Sequence, residues 1–80
     1  MPTTAREVLN GLRWRKGESL HEAELHVLDR RAPGRFRVVP GREVTALGHR
    51  TFDTARATIP YYKIARIEYR GRVIFERKEG

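Results

Sequence analysis

Eighty residues with 39% apolar content make one small domain, too apolar for a disordered tail and large enough for only a modest core. The absence of cysteine excludes disulfides, thiolate metal sites and cysteine nucleophiles. Seventeen Lys and Arg against ten Asp and Glu leave a net charge of +7, and only Lys16, Lys63 and Lys78 are lysine. Arg presents planar, forked donors that match phosphate oxygens. A small basic domain built on Arg therefore points to a polyanion, nucleic acid first. The opening "MPTTAREVLN" lacks the apolar run of a signal peptide, and no stretch is long enough to span a bilayer. A cytoplasmic protein with no membrane partner is the expectation.

The first element reads as a helix over about 3–14. Thr4 and Glu7 stand at capping-box spacing. Ala5, Val8, Leu9 and Leu12 then fall on one face at helical period. "RKGES" is a loop. Ser19 and Glu22 repeat the capping-box spacing, which allows one more turn. Trp14 reads as a side chain packed between the helix and the rest of the domain, given the area that a Trp buries.

The remainder is strand-like. Ala23, Leu25 and Val27 alternate with Glu24, His26 and Leu28, a period of two. Strands are expected over about 22–30, 35–39, 42–48, 50–59 (broken), 64–69 and 72–77, within one domain covering 1–80. Pro33-Gly34 and Pro40-Gly41 mark turns, and Pro60 marks a break. At the end, a three-residue loop Tyr69-Arg70-Gly71 would pair Glu68 with Arg72 and put Ala65, Ile67, Val73 and Phe75 on one face. The expected fold is α+β, mostly β. It is a small SH3/Sm-like β-barrel of five to six short strands with an N-terminal helix.

No catalytic constellation is legible. His21, His26 and His49 share no metal-ligand spacing, no phosphate-binding glycine loop occurs, and no cofactor or metal is implied. His26 sits in a strand and is one candidate for a groove. The basic and aromatic pattern is stronger. Arg30, Arg31, Arg35 and Arg37 crowd the Pro33-Gly34 turn. Arg15 and Lys16 leave the helix end, where positive charge suits the helix dipole. Tyr61, Tyr62 and Lys63 join two rings to a cation. Rings stack on unpaired bases while Arg grips phosphates, a pairing suited to single-stranded RNA. Adjacent residues on an extended chain point opposite ways, so one of Tyr61 and Tyr62 belongs to the core.

Four stretches taken in order, "TAREVLNGLRW", "RRAPG", "VVPG" and "IPYYKIARIEYRGRVIFER", resemble the RNA cyclic-group end-recognition domain family, small archaeal proteins also found fused to RNA-processing or phosphoesterase-like domains. The resemblance covers essentially the whole chain. It implies recognition of RNA ends that carry a cyclic or related phosphate. The family's turn often reads His-Arg-Gly-Ala-Pro-Gly, and Asp29-Arg30-Arg31-Ala32-Pro33-Gly34 stands there. Its Ile-Pro-aromatic segment often continues His-Arg-Ile, and Tyr62-Lys63-Ile64 stands there. Both family histidines are replaced, at Asp29 and Tyr62, which favours a binder over an enzyme: acid–base work by those histidines is lost here, whereas phosphate binding by them could pass to Arg31 and Lys63. The expected function is non-catalytic RNA binding at phosphorylated or 2′,3′-cyclic-phosphate ends. The alternatives are a small phosphoesterase or RNA-repair enzyme, and an interaction module of an RNA-processing complex. RNA is the expected partner, an RNA-processing protein is a second one, and the domain is expected to be a monomer or weak homodimer.

Overall fold

The computed structural model describes residues 4–77. One helix, α1 (Ala5–Trp14), precedes seven strands: β1 (Ala23–Leu28), β2 (Phe36–Pro40), β3 (Val44–Leu47), β4 (Thr51–Thr54), β5 (Thr58–Pro60), β6 (Ile64–Tyr69) and β7 (Arg72–Glu76). Single 3₁₀ turns occupy Leu20–Glu22, Pro33–Arg35, Gly41–Glu43 and Tyr61–Lys63.

The Thr4 hydroxyl accepts the Glu7 backbone N–H and starts α1. The apolar stripe of α1 buries Ala5, Leu9 and Leu12. Burying Leu9 completely contributes roughly 2 kcal/mol. The second expected capping box is not made, because the Ser19 side chain bonds no backbone N–H in its turn. The Ser19 N–H instead donates to the Tyr69 hydroxyl at 3.0 Å. Trp14 also departs from expectation. It is 75% exposed at the last position of the helix, with the Arg13 guanidinium 5.4 Å from its ring centroid. Helical period explains this, since Leu9 and Leu12 fill the buried stripe and Trp14 lies off it.

The strands do not close into a barrel. They form two separate antiparallel sheets, of order β2-β1-β6-β7 and β3-β4-β5. An SH3/Sm-like barrel would carry one strand continuously around each corner from sheet to sheet. Here both corners are broken in the same way. Val39-Pro40 ends β2 and Ile59-Pro60 ends β5, each with the apolar residue buried. A 3₁₀ turn follows each proline, and the next strand starts at Val44 or Ile64. The two prolines have nearly equal backbone angles, φ −63° ψ 140° and φ −65° ψ 141°. Proline cannot donate to a ladder, so pairing ends at each corner. β2 and β7 remain as edges of one sheet, β3 and β5 as edges of the other.

The core lies between the sheets and under α1. Leu25, Phe52, Ile64 and Ile67 are fully enclosed there. β1 alternates, with Ala23, Leu25 and Val27 buried, as a strand with one core-facing side must.

The final hairpin differs from the expected three-residue loop. Tyr69 pairs with Arg72, and the register shifts between Ile67 and Glu68, so that Ile67 faces Phe75 and Glu68 faces Val73. Arg70 and Gly71 both have positive φ, 51° and 82°, as a two-residue type I′ turn requires. A bulge at Ile74 absorbs the extra residue, which keeps Ile67 and Phe75 opposed and leaves Val73 half exposed. The tip is clamped to the Leu20–Glu22 turn. The Arg70 Nε and Nη2 donate to the two Glu22 carboxylate oxygens at 3.2 and 2.7 Å. Those hydrogen bonds hold the Glu22 carboxyl below its ordinary range. A lowered folded pKa stabilises the fold above the unfolded value and ceases to do so as pH falls through the folded one. Glu22→Gln is therefore expected to lower the melting midpoint slightly at neutral pH, as exposed pairs do. The wild type and variant should melt together well below the carboxylate range, and a difference that persists in acid would refute the pairing as its cause.

Candidate nucleic-acid interface

The loop between β1 and β2 is built by its own backbone. The Asp29 N–H donates to the Arg35 carbonyl at 2.8 Å and closes the base. The Asp29 side chain accepts the Arg31 N–H at 3.0 Å, the local bond that favours Asp beside turns. Gly34 and Arg35 turn the tip with φ of 73° and 65°. Arg35 thus holds a conformation that costs a non-glycine residue about 1 kcal/mol.

Across from this loop stand β5 and the Tyr61–Lys63 turn. Between them is a cleft of about 720 Å³ lined from both sheets. Arg30, Arg31 and Arg37 come from one side, Tyr62 and Lys63 from the other. The floor is apolar, made of Val27, Ile59 and Pro60. Asp29 is the one carboxylate of the lining. Its Oδ2 lies 3.8 Å from the Arg37 Nε, a loose ion pair at the cleft edge. Among the described residues, Arg30, Arg31 and Lys63 make no ion pair. The cleft therefore concentrates positive charge over a low-dielectric floor, where a phosphate is attracted more strongly than at an open surface.

The two adjacent tyrosines divide. Tyr61 is 7% exposed and packs against Phe52 with ring centroids 5.7 Å apart. Its hydroxyl donates to the Gly48 carbonyl at 2.9 Å, and burial raises its pKa above the ordinary phenol value. Tyr62 is 68% exposed at the cleft rim. Tyr61 anchors the turn, and Tyr62 leaves its ring open to solvent.

The other candidates lie elsewhere. Arg35 serves the loop backbone and does not line the cleft. Arg15 sits past the helix end, 3.7 Å from Glu18, and Lys16 lies in the exposed loop beyond. His26 faces away from the Val27 side of β1. Its Nε2 lies 3.2 Å from Glu68 Oε2, the same oxygen that Arg66 Nε approaches at 3.1 Å. It borders a separate hollow with Pro33, Gly34 and Phe36. Sequence reasoning missed the opposing wall, Ala57 to Pro60, because its position depends on how the second sheet stands against the first. It also missed the contact of Asp29 with Arg37, and it expected Arg35 on the strand with Arg37, whereas Arg35 belongs to the Pro33–Arg35 turn and β2 starts at Phe36.

Among the described residues, no group of three His, Cys, Asp or Glu could hold a metal ion, and no helix is long and apolar enough to cross a membrane. Arg30, Arg31, Arg37 and Lys63 thus stand around a concave apolar floor, with the exposed Tyr62 ring at the rim. The model of the MJ1316 RNA cyclic group end recognition domain matches residues 1–77, and the chain belongs to that family. The family is described as recognising the cyclic groups of RNA ends, and RNA is the partner this implies. No curated protein and no solved structure matches the chain.

Proposed function

We propose that the cleft between the two sheets is where the cyclic end of an RNA strand sits, bound without turnover. Arg30 and Arg31 supply guanidinium donors to the terminal phosphate. Arg37 and Lys63 complete its surroundings, while Tyr62 stacks on the last base. The observation that carries this reading is the convergence, from two distant chain segments, of Arg30, Arg31, Arg37 and Lys63 beside an exposed Tyr62.

Charge alone does not select a cyclic end. A 2′,3′-cyclic phosphate is a diester with a single negative charge, whereas an open terminal phosphate gains up to a second. A site that prefers the cyclic form must read its two non-bridging oxygens by geometry, which forked donors on a closed loop can do. The role as a binder is supported by the family's description as a recognition domain and by the position of His26 on the other face of β1, against Glu68. The same reading puts the domain in the cytoplasm with RNA-processing proteins, as a monomer or weak homodimer. RNA as ligand and the open sheet edges are its support.

The test is a titration with four otherwise identical short RNAs ending in 2′,3′-cyclic phosphate, 3′-phosphate, 2′-phosphate or plain hydroxyls, at low and physiological salt. The cyclic end is expected to bind tenfold or more tighter than hydroxyls, about 1.4 kcal/mol, and to keep that margin at the higher salt. Equal affinities that fall together with salt would reduce the cleft to a non-specific polyanion surface.

A further inference from the structure

The Pro60–Tyr62 segment has a second side. Pro60 and Tyr62 line the end-binding cleft, and they also line a second cleft of about 1180 Å³. That second cleft is walled by the start of α1, by the β3–β4 turn and by β7. Tyr62 is thus a ridge between two adjoining hollows.

The walls differ in character. The first cleft sets Arg30, Arg31, Arg37 and Lys63 against Asp29 alone. In the second, Arg6, Arg50 and Arg77 face Glu7 and Glu76, with His49 and the half-buried Phe75 beside them and the exposed Tyr62 at its edge. The first suits a bare phosphate. The second, nearly balanced in charge and bounded by the exposed Tyr62 ring, suits ribose and base, with a cation for an internucleotide phosphate.

The second cleft is also held in place. The Tyr61 N–H donates to the Arg50 carbonyl at 3.1 Å, and the Tyr61 hydroxyl to the Gly48 carbonyl at 2.9 Å. Arg6 Nε donates to the same Gly48 carbonyl at 3.4 Å. The turn carrying His49 and Arg50 is therefore fixed to the residue next to Tyr62. Arg77 is spent on the fold, since its Nε and Nη2 donate to the Ile64 and Tyr61 carbonyls. Among the described residues, Arg50 remains free, and Arg6, engaged through Nε alone, keeps its two Nη groups for a ligand.

Resting on the reading of the first cleft, we propose that this second cleft is a subsite for the nucleotide that precedes the RNA end. The strand would cross Tyr62, its terminal phosphate among Arg30, Arg31 and Lys63 and the preceding nucleotide between Tyr62, Arg50 and Arg6. The domain then reads an end and the strand that leads to it, and a lone cyclic nucleotide fills only half of the site.

The test uses two ladders of RNA, one to four nucleotides long, one ending in 2′,3′-cyclic phosphate and one in hydroxyls, competed against a labelled longer strand. For the wild type, the second nucleotide should improve affinity by about tenfold, as stacking and one phosphate contact supply. Arg6→Ala with Arg50→Ala should leave the cyclic mononucleotide within about twofold of wild type and remove the gain from the second nucleotide. Arg50→Gln, which keeps the side-chain bulk, should do the same and covers a folding failure of the double variant. A length gain that survives both sets of changes, or none in the wild type, overturns the subsite. If the two ladders bind alike but the gain still depends on Arg50, the end-binding reading falls and the second cleft stands.

Discussion

Replacing Arg30 and Arg31 together by Ala should weaken binding of a cyclic-ended RNA about a hundredfold at low salt. Each guanidinium that donates to a phosphate supplies about 1.4 kcal/mol or more, a factor of ten. The two losses should nearly add if each side chain holds its own oxygen. On a double-logarithmic plot, the salt dependence should flatten by about 0.7, one single-strand phosphate contact's worth, since both side chains meet the same singly charged phosphate. Stability should scarcely move. Both side chains are exposed, and the loop is closed by Asp29, Ala32 and Arg35 backbone bonds and by the Asp29 carboxylate on the Arg31 N–H, none of which needs a guanidinium. The matching control is Arg13→Ala with Arg15→Ala, which removes the same two charges from the helix end. That variant should lose only the general attraction of a basic protein for RNA, shared by all end chemistries and suppressed by salt. An equal loss from both pairs would mean that net charge binds RNA and that the cleft has no special part.

The contrast between these pairs shows what a sequence can say about such a site. Residue type was legible: Arg around a Pro-Gly turn and rings beside a cation mark anion and base chemistry wherever they fall. Place was not. Arg15 and Arg30 look alike along the chain, and only the pairing of β1 with β2, and the stand of the second sheet beside them, puts one in the cleft and the other beyond the helix. Tyr61 and Tyr62 show the intermediate case. The alternation expected of an extended chain does not apply, because the pair lies in a 3₁₀ turn, and which ring is buried depends on which can reach Phe52 and the Gly48 carbonyl.

The fold divides along the same line. The Thr4 cap, the helical stripe and the alternation of β1 follow from neighbours a few residues apart, so they were legible locally. The barrel was an inference from many short strands and failed on two tripeptides, Val39-Pro40-Gly41 and Ile59-Pro60-Tyr61. Each proline stops a ladder where a barrel needs a continuous bent strand. The hairpin failed for a related reason. Binary pattern can be restored by a bulge at Ile74 as well as by a longer turn, and the composition of the turn does not choose between them.

Gly41 carries the largest expected effect on stability, and its reason is not the usual one for glycine. It sits at the first broken corner, where the Gly41–Glu43 turn presses on the Leu20–Glu22 turn. Its φ is not in the left-handed region, so backbone freedom is not what it supplies. A Cβ there would overlap the Leu20 backbone carbonyl oxygen and crowd the Ala23 carbonyl. Tyr61 occupies the matching position of the other corner, where its ring packs into the core beside Phe52. The two corners share one backbone design, and the first is a glycine because a second turn crosses it. The obstruction is main chain and cannot rotate away, so Gly41→Ala must push the two turns apart. The cost is expected to be about 3 kcal/mol, at the upper end for overpacking. That is a large part of the roughly 4–12 kcal/mol that an eighty-residue domain has in total. In a thermal melt the midpoint should fall by about 15 °C. The end-binding cleft lies at the other corner, so the folded fraction should bind cyclic-ended RNA as the wild type does, once affinity is corrected for unfolded protein. A Gly41→Ala protein that melts within a few degrees of wild type would show that the two turns can separate, and that the close approach of their backbones does not hold this corner together.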